Sequence, residues 1–399
     1  MIRVPALYGW SGDGLTVLSY IVLAVAAIPG IYYLLALYSS ARFFLSWRRP
    51  SPSSDFTPPI SCLKPIRGLD PEAYENYASF CRQDYPEYEI LFCVDGDDPA
   101  LPVLEKLVQD FPERRIRLLF GSGRSAINDK IGRLVRLVSE AQYDLLVITD
   151  GDIRARPDYL RSVAAAFRDP KVGGATCLYV STKETSLVQE LQSIGMISDF
   201  FAGIFVAWQL DGVKFTFGQT IVTTRKNIAA FGGYEAIENR PADDLRVGRL
   251  IAELGYEVKL LPYVVQSVAD FASLSDLFYK RVRWMTVMRL MRPWGHFGLI
   301  FTWGLPWALI AIATHPSMGI ALGYLGSYAL LRVAMTWLIG IWGMKQTGLW
   351  KKMLLIPVWD AMAFIIWLIS FSRKSIRWRG IEYFIREGIL VPVAPKAGS

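Results

Sequence analysis

The chain has 399 residues, 52% of them hydrophobic, and carries a net charge of +7, with a pI near 9.1 and a mean hydropathy of +0.28. That is more apolar than a soluble domain, so part of the chain belongs in lipid; its cations gather beside the apolar runs (Arg42, Arg48, Arg49; Lys351, Lys352), which favours anionic lipid over nucleic acid as their partner. The four cysteines (Cys62, Cys81, Cys93, Cys177) form no CxxC pair and only His296 and His315 are available, so a zinc centre and His-based catalysis are excluded, and the cysteines read as reduced cytosolic thiols.

The first apolar run, roughly Leu15 to Tyr38, is about 24 residues and long enough to span a bilayer. A cleaved signal peptide is the rival reading, but the run is too long and has no basic start beyond Arg3. Arg42, Arg48 and Arg49 follow it, which places the next domain in the cytoplasm. Residues 1–49 are thus an N-terminal membrane anchor, and the Pro- and Ser-rich residues 50–59 a linker.

From residue 60 to 273, short apolar runs alternate with helical patterns. Strand-like stretches are Ile60–Leu63, Glu89–Val94, Ile116–Phe120, Asp144–Thr149 and Gly174–Val180. Helix-like ones include Pro71–Arg82, Leu101–Phe111 and Asn128–Glu140. This alternation predicts an α/β domain with a largely parallel sheet, whose ligands gather at the carboxyl ends of strands. Asp95-Gly96-Asp97-Asp98 follows one strand and Asp150-Gly151-Asp152 another, so both acidic turns emerge at the same edge. Hard oxygens there suit Mg²⁺ or Mn²⁺ bridging phosphate oxygens. Asp98 suits a base or ribose contact, or a helix cap ahead of Pro99–Phe111. Asp243-Asp244 opens the helical stretch Leu245–Leu254, as helix-start carboxylates or as a general base.

Leu274 to Trp294 mixes Leu, Val, Met and Phe with Lys280, Arg281, Arg283, Arg289 and Arg292. Residues 274–296 read as an amphipathic interfacial segment, with a core-facing helix as the rival. Within it, Arg283 offers a fixed cation for phosphate and Trp284 a flat wall or an interface anchor. Residues 297–371 hold three more apolar runs, about Phe297–Thr314, Met318–Gly343 and Met353–Phe371. Three crossings would put the basic tail 372–399 (Arg373, Lys374, Arg377, Arg379) opposite the catalytic domain, although its charge looks cytosolic. One late run is therefore re-entrant or interfacial; Pro357 and Pro306 mark the two candidates. Arg332 and Asp360 inside these runs read first as a mutual ion pair, and second as contacts for a polar lipid head.

The order Asp, DxD, Asp, Arg-Trp between membrane runs resembles family-2-type glycosyltransferases. The local text is similar to the ceramide glucosyltransferase-like group, family 21, which includes bacterial hopanoid-associated enzymes. The matching residues are Leu63-Lys64-Pro65 with Gly68, Asp84-Tyr85-Pro86, Asp97-Asp98-Pro99-Ala100, Asn128-Asp129-Lys130, Asp150-Gly151-Asp152-Ile153-Arg154, Asp243-Asp244 and Arg283-Trp284. They lie within roughly residues 15 to 385, nearly the whole chain.

The resemblance implies a GT-A-type, Rossmann-like catalytic domain on the cytosolic face, in a bacterial inner membrane. It implies a UDP-sugar donor, a lipid acceptor, a divalent metal and inversion at the anomeric carbon. By position, Asp244 would be the base, and Asp150 and Asp152 would hold metal and diphosphate. Lys64, Asp98, Lys130, Arg283 and Trp284 would complete the nucleotide-sugar site, with Asp98 preferred over Asp95. One departure is Lys280, which stands where the family's motif has Gln or Arg, and Lys lacks the planar fork. UDP-glucose and ceramide form the leading substrate pair. UDP-N-acetylglucosamine and a hopanoid polyol come next, through Pro262-Tyr263-Val264-Val265 and Arg292-Pro293-Trp294-Gly295. A processive polysaccharide synthase would need more membrane runs, and a nucleotide-sugar receptor that has lost its chemistry would not need the full acidic set.

Overall fold

The structure is a computed structural model that describes residues 12–47, 55–121, 128–182, 184–268, 271–378 and 381–393. Arg48, Arg49, linker residues 50–54, Arg379 and tail residues 394–399 lie outside the described residues.

Eight strands form one mixed sheet: β1 (Ile60–Pro65), β2 (Tyr88–Val94), β3 (Ile116–Phe120), β4 (Leu145–Ile148), β5 (Ile153–Arg154), β6 (Val172–Thr182), β7 (Ile221–Thr224) and β8 (Glu257–Val268). Their order is β3-β2-β1-β4-β7-β6-β8-β5. The first four are parallel, whereas β7 runs against β4 and β6. The sheet is therefore less parallel than the alternating pattern suggests. Every residue of β2 and β4 is buried, because helices cover both faces; this is why these strands read as unbroken apolar runs. Leu63 pairs with Ile148, so Lys64 and Asp150 leave adjacent strands at the same edge.

One face packs against helices Ala73–Cys81, Leu101–Asp110 and Tyr159–Ala164. The core on the other face runs without interruption from Leu63, Leu91 and Ile148 into Tyr33, Phe43, Phe205, Met335, Ile339 and Trp359 of the apolar helices. The catalytic sheet and the membrane helices thus share one hydrophobic core.

Among the described residues, four helical stretches are long and apolar enough to cross a membrane: Thr16–Ser46, Leu187–Asp211, Met318–Gly343 and Thr347–Ser372. A further pair, Pro293–Thr302 and Gly304–Thr314, is bent by 58°. The bend falls at Trp303, just before Pro306, whose ring nitrogen has no hydrogen for the turn behind it. The Leu187–Asp211 stretch has no counterpart among the runs read from sequence, and both its ends return to the sheet, at β6 and β7.

Contacts fix how the others run. His315 lies 5.5 Å from the Tyr20 ring, Tyr324 Oη donates to the Leu23 carbonyl at 2.7 Å, and Gly343 packs on Phe44. Met318–Gly343 therefore runs alongside the N-terminal helix toward the sheet. Thr347–Ser372 is held at its start by a residue just after β6 and at its end by the Leu274–Met291 helix. Lys352 Nζ pairs with Glu184 at 2.9 Å, and the Arg373 carbonyl accepts from Arg289 on the Leu274–Met291 helix. Arg332 and Asp360 pair with each other in the interior, with an Nε–Oδ2 distance of 2.9 Å, and Tyr328 adds a hydrogen bond of 2.8 Å to the same oxygen.

After Ser372 the chain forms a second sheet of three antiparallel strands, β9 (Ser375–Trp378), β10 (Ile381–Arg386) and β11 (Ile389–Pro392). Glu387 and Gly388 join β10 to β11 with φ of 51° and 75°. Two successive positive φ values make the tight turn whose twist suits a hairpin, and glycine takes the second one without strain.

Candidate active site

The acidic turn after β4 is tied to its neighbours by the backbone. Thr149 N donates to the Leu63 carbonyl at 3.2 Å, and Asp150 N to the Gly218 carbonyl at 3.2 Å. Gly218 N in turn donates to Asp244 Oδ2 at 3.1 Å. One glycine peptide segment thus links the DxD turn to the Asp243-Asp244 pair. Lys130 closes the link from above: its Nζ lies 2.7 Å from Asp150 Oδ1 and 3.5 Å from Asp243 Oδ2. Burial opposes the lysine's charge, but the carboxylates of Asp150 and Asp243 outweigh it and hold the ammonium well above its ordinary pKa.

Asp243 and Asp244 open the helix Asp243–Glu253. Asp244 Oδ1 accepts from Leu245 N at 2.9 Å, and its carbonyl accepts from the Thr216 hydroxyl at 2.7 Å. Burial, then the charge of Asp243, pushes its carboxyl up to about 6, with Lys130 pulling the other way. Each carboxylate oxygen keeps a lone pair after these bonds. The residue before the pair, Ala242, sits in the left-handed region at φ 55°. That region is uncommon for a residue with a Cβ and is retained where surrounding structure enforces it.

Asp152 accepts from the Ser267 hydroxyl at 2.6 Å. Burial and then Asp150 push its carboxyl up to about 7. Lys64 is fully buried at the end of β1. It donates to the Asp150 carbonyl at 3.2 Å and lies 3.7 Å from the Phe80 ring centre; burial lowers its ammonium to about 8. A cleft of about 230 Å³ opens here, lined by Pro65, Ile66, Arg67, Asp70, Lys130, Arg133, Asp150, Gly151 and Asp152.

Asp98 stands back from this cleft. Its Oδ2 accepts from Gly68 N at 2.8 Å and its Oδ1 from Ala100 N at 2.9 Å. It therefore forms the turn ahead of the helix Leu101–Asp110, whose N-cap Ala100 has no side-chain cap bond, and fixes Gly68 in the loop after β1. Asp95 is committed to Arg133, a cation with 1% of its side chain exposed, which also meets Asp129 at 3.0 Å. Arg283 and Trp284 are on the Leu274–Met291 helix, and neither is among the described residues that line the cleft. The Trp284 ring, 42% exposed, lies 5.0 Å from the Arg281 guanidinium. Arg281 also lies 4.7 Å from Trp359 and donates twice to Gln192 Oε1, at 2.9 and 2.7 Å. Lys280 pairs with Asp276 at 3.0 Å.

Three site components escaped the sequence. Gly218 contributes only backbone, and no side-chain pattern marks it. Asp70 lies in the loop after β1 and faces Gly151. Arg133 could have been found, since it sits four residues after Asp129 and so shares its face of the helix.

Among the described residues, no three His, Cys, Asp or Glu side chains are grouped so as to hold an ion alone. The donor set still fits a hard divalent cation. Asp150 and Asp152 are crowded carboxylates, with Asp70 facing the glycine between them. Mg²⁺-type sites commonly take one or two protein carboxylates and fill the remainder with substrate phosphates and water.

An acidic edge on a mixed α/β sheet of this order defines a sugar-nucleotide transferase fold of the GT-A type. A mannosyltransferase from Pyrobaculum calidifontis, solved with GDP-mannose and Mn²⁺, superimposes with a TM-score of 0.55 at 19% identity, over 88% of this chain and 99% of that one. The chain belongs to glycosyl transferase family 21, whose model matches residues 21–391. Curated relatives include ceramide glucosyltransferase 3 of Caenorhabditis elegans, 24% identical over 68% of this chain and 61% of the relative. Ceramide glucosyltransferase of Gibberella zeae is 32% identical over 34% of this chain and 28% of its own. The chain thus spans about 61% of the length of the Caenorhabditis relative.

Proposed function

We propose that the protein is a membrane-bound inverting glycosyltransferase that moves glucose from UDP-glucose to the primary hydroxyl of ceramide. The observation that carries this reading is the joined set of Asp150, Lys130, Asp243 and Asp244 at one sheet edge, all within one residue of a shared glycine backbone or a shared lysine. The ceramide glucosyltransferase relatives support the choice of sugar and acceptor.

Asp244 takes the proton of the acceptor hydroxyl. The oxygen attacks the anomeric carbon as the bond to UDP breaks, so configuration inverts and the electron pair leaves with the diphosphate. Lys130 and Arg283 supply cations toward the charge that develops there, and Lys64 holds the DxD turn through its carbonyl. Asp98 orders the nucleotide-side loop by its bond to Gly68. Asp150 and Asp152 would hold the divalent metal, Mg²⁺ or Mn²⁺, which neutralises the diphosphate when bound. Trp284 forms the wall toward the lipid. The basic residues near the sheet, among them Arg42, Lys345, Lys351 and Lys352, support a cytosolic position for the catalytic domain.

Asp244→Asn is expected to reduce transfer at least 100-fold while UDP binding, read by calorimetry, stays within about twofold. Full turnover by this variant would sink the reading. Mass spectrometry after incubation with a panel of UDP-sugars and extracted lipids should return glucosylceramide. A hopanoid carrying N-acetylglucosamine would move the assignment to that branch of the family.

A further inference from the structure

The second sheet does more than end the chain. Its outer strand β11 is an edge, and Leu390 N donates to the carbonyl of Asn239 at 2.7 Å. One residue before that strand, a Cβ placed on Gly388 would stand 3.3 Å from the Arg240 guanidinium. Asn239 and Arg240 belong to the short loop that leads through Pro241 and Ala242 to Asp243 and Asp244. On its other side, the sheet's small core of Ile376, Tyr383 and Leu390 packs against Val287. Val287 lies one turn beyond Arg283 and Trp284 on the Leu274–Met291 helix. The hairpin therefore touches both halves of the candidate site: the loop that delivers the base and the helix that carries the Arg-Trp pair.

We propose that the β10–β11 hairpin is a positioning strap that holds the Asn239–Ala242 loop, and with it the Asp244 carboxylate, in register with the helix bearing Arg283 and Trp284. The inference rests on the reading of Asp244 as the base. The loop needs such a support. Ala242 is in the left-handed region, a conformation kept only where neighbours over-determine it. Asp244's own bonds, to Gly218 and Leu245, hold the carboxylate from within the catalytic domain. The strap adds an outside hold on the loop's opposite end. An edge strand offers a row of free N–H groups, and here one of them is used by a loop rather than by another strand.

Leu390 acts on the reaction through the loop and touches no substrate, so it is a positioning residue. Leu390→Pro removes the N–H to Asn239. That N–H points away from β10, so an edge proline leaves the ladder intact. Leu390→Met keeps both the N–H and the apolar volume. With the full-length enzyme in lipid nanodiscs, Leu390→Pro should lower kcat about 10- to 100-fold, the scale expected from misplacing a catalytic group by an ångström. The donor KM and UDP affinity should remain within about twofold, and Leu390→Met should restore kcat. If Leu390→Pro does not fold, Tyr383→Asp, which puts a charge into the strap's own core, is read the same way. Unchanged kcat overturns the strap, as does a kcat loss accompanied by an equal loss of UDP affinity. Asp244→Asn is measured in parallel. An inactive Asp244→Asn beside a fully active Leu390→Pro removes the strap and leaves the base, whereas an active Asp244→Asn removes the base reading itself.

Discussion

At the residue scale, the site is a problem of crowded charge. Asp150, Asp243 and Asp244 stand around Lys130, Asp152 lies toward Lys64, and all four share a partly buried edge. Burial and mutual repulsion raise Asp244 to about 6 and Asp152 to about 7. A general base works as the carboxylate, so kcat should fall about tenfold per pH unit below 6 and level off above it. The sign of Lys130's contribution supplies a second check. Its cation lowers the Asp244 value, so Lys130→Met should move the acid limb of the profile to higher pH. A flat profile between pH 5 and 8, read with saturating donor, would argue against Asp244 as the base. Much of this set was legible in the sequence because acidic residues after an apolar strand are visible in one dimension. Gly218 was invisible because its role is an N–H and a carbonyl. Asp98 read equally well as a cap or as a ligand, and its two backbone bonds now account for both of its oxygens.

At the element scale, the position of the proposed base, Asp244, depends on how closely its helix approaches the rest of the domain. Gly248, about one turn beyond the acidic pair on the same helix, meets the backbone of Phe215 and Thr216; a Cβ there would stand 2.3 Å from Phe215 C and 2.5 Å from Thr216 N. Backbone atoms cannot rotate aside. Thr216 also bonds the Asp244 carbonyl, so any shift is passed to Asp244. Gly248→Ala should therefore cost about 1–3 kcal/mol in stability and lower kcat by more than tenfold; native values for both in a melting curve and a turnover assay would refute the argument. Among the elements, β2 and β4 were legible because burial on both faces leaves only apolar residues. The Leu187–Asp211 helix was not, because Gln189, Glu190, Gln192, Ser193 and Asp199 interrupt its apolar text. Two of those residues are used inside: Gln192 accepts from Arg281, and Asp199 accepts from the Trp359 indole at 3.4 Å. The last sheet was hidden by its cations, since Arg373, Lys374 and Arg377 read as a solvated tail.

At the scale of the whole molecule, the tail's contacts decide a question of parity. Counting three late apolar runs as crossings puts the C-terminal end opposite the catalytic domain. Leu390, however, bonds Asn239 of that domain, so both lie on one side and the chain between them crosses an even number of times. We propose that Thr347–Ser372 is the run that does not cross. The bent pair leads away from the sheet to His315, beside Ser19 and Tyr20, and Met318–Gly343 returns to Phe44. Thr347–Ser372 starts beside Glu184, through Lys352, and ends beside Arg289, so both its ends meet segments joined to the catalytic domain, despite its length and hydropathy. Its Pro357 does not bend it; Ile356–Ser372 is one helix with the proline in its first turn, where a missing N–H costs nothing. The native cysteines Cys62, Cys81, Cys93 and Cys177 are all buried, so single introduced cysteines can be labelled against a low background. In sealed vesicles, an impermeant maleimide should reach Glu235→Cys and Lys374→Cys from the same side and Met318→Cys, at a residue 74% exposed, from the other. Labelling of Lys374→Cys together with Met318→Cys would mean that Thr347–Ser372 crosses, and that the strap and the loop it holds cannot meet in the membrane.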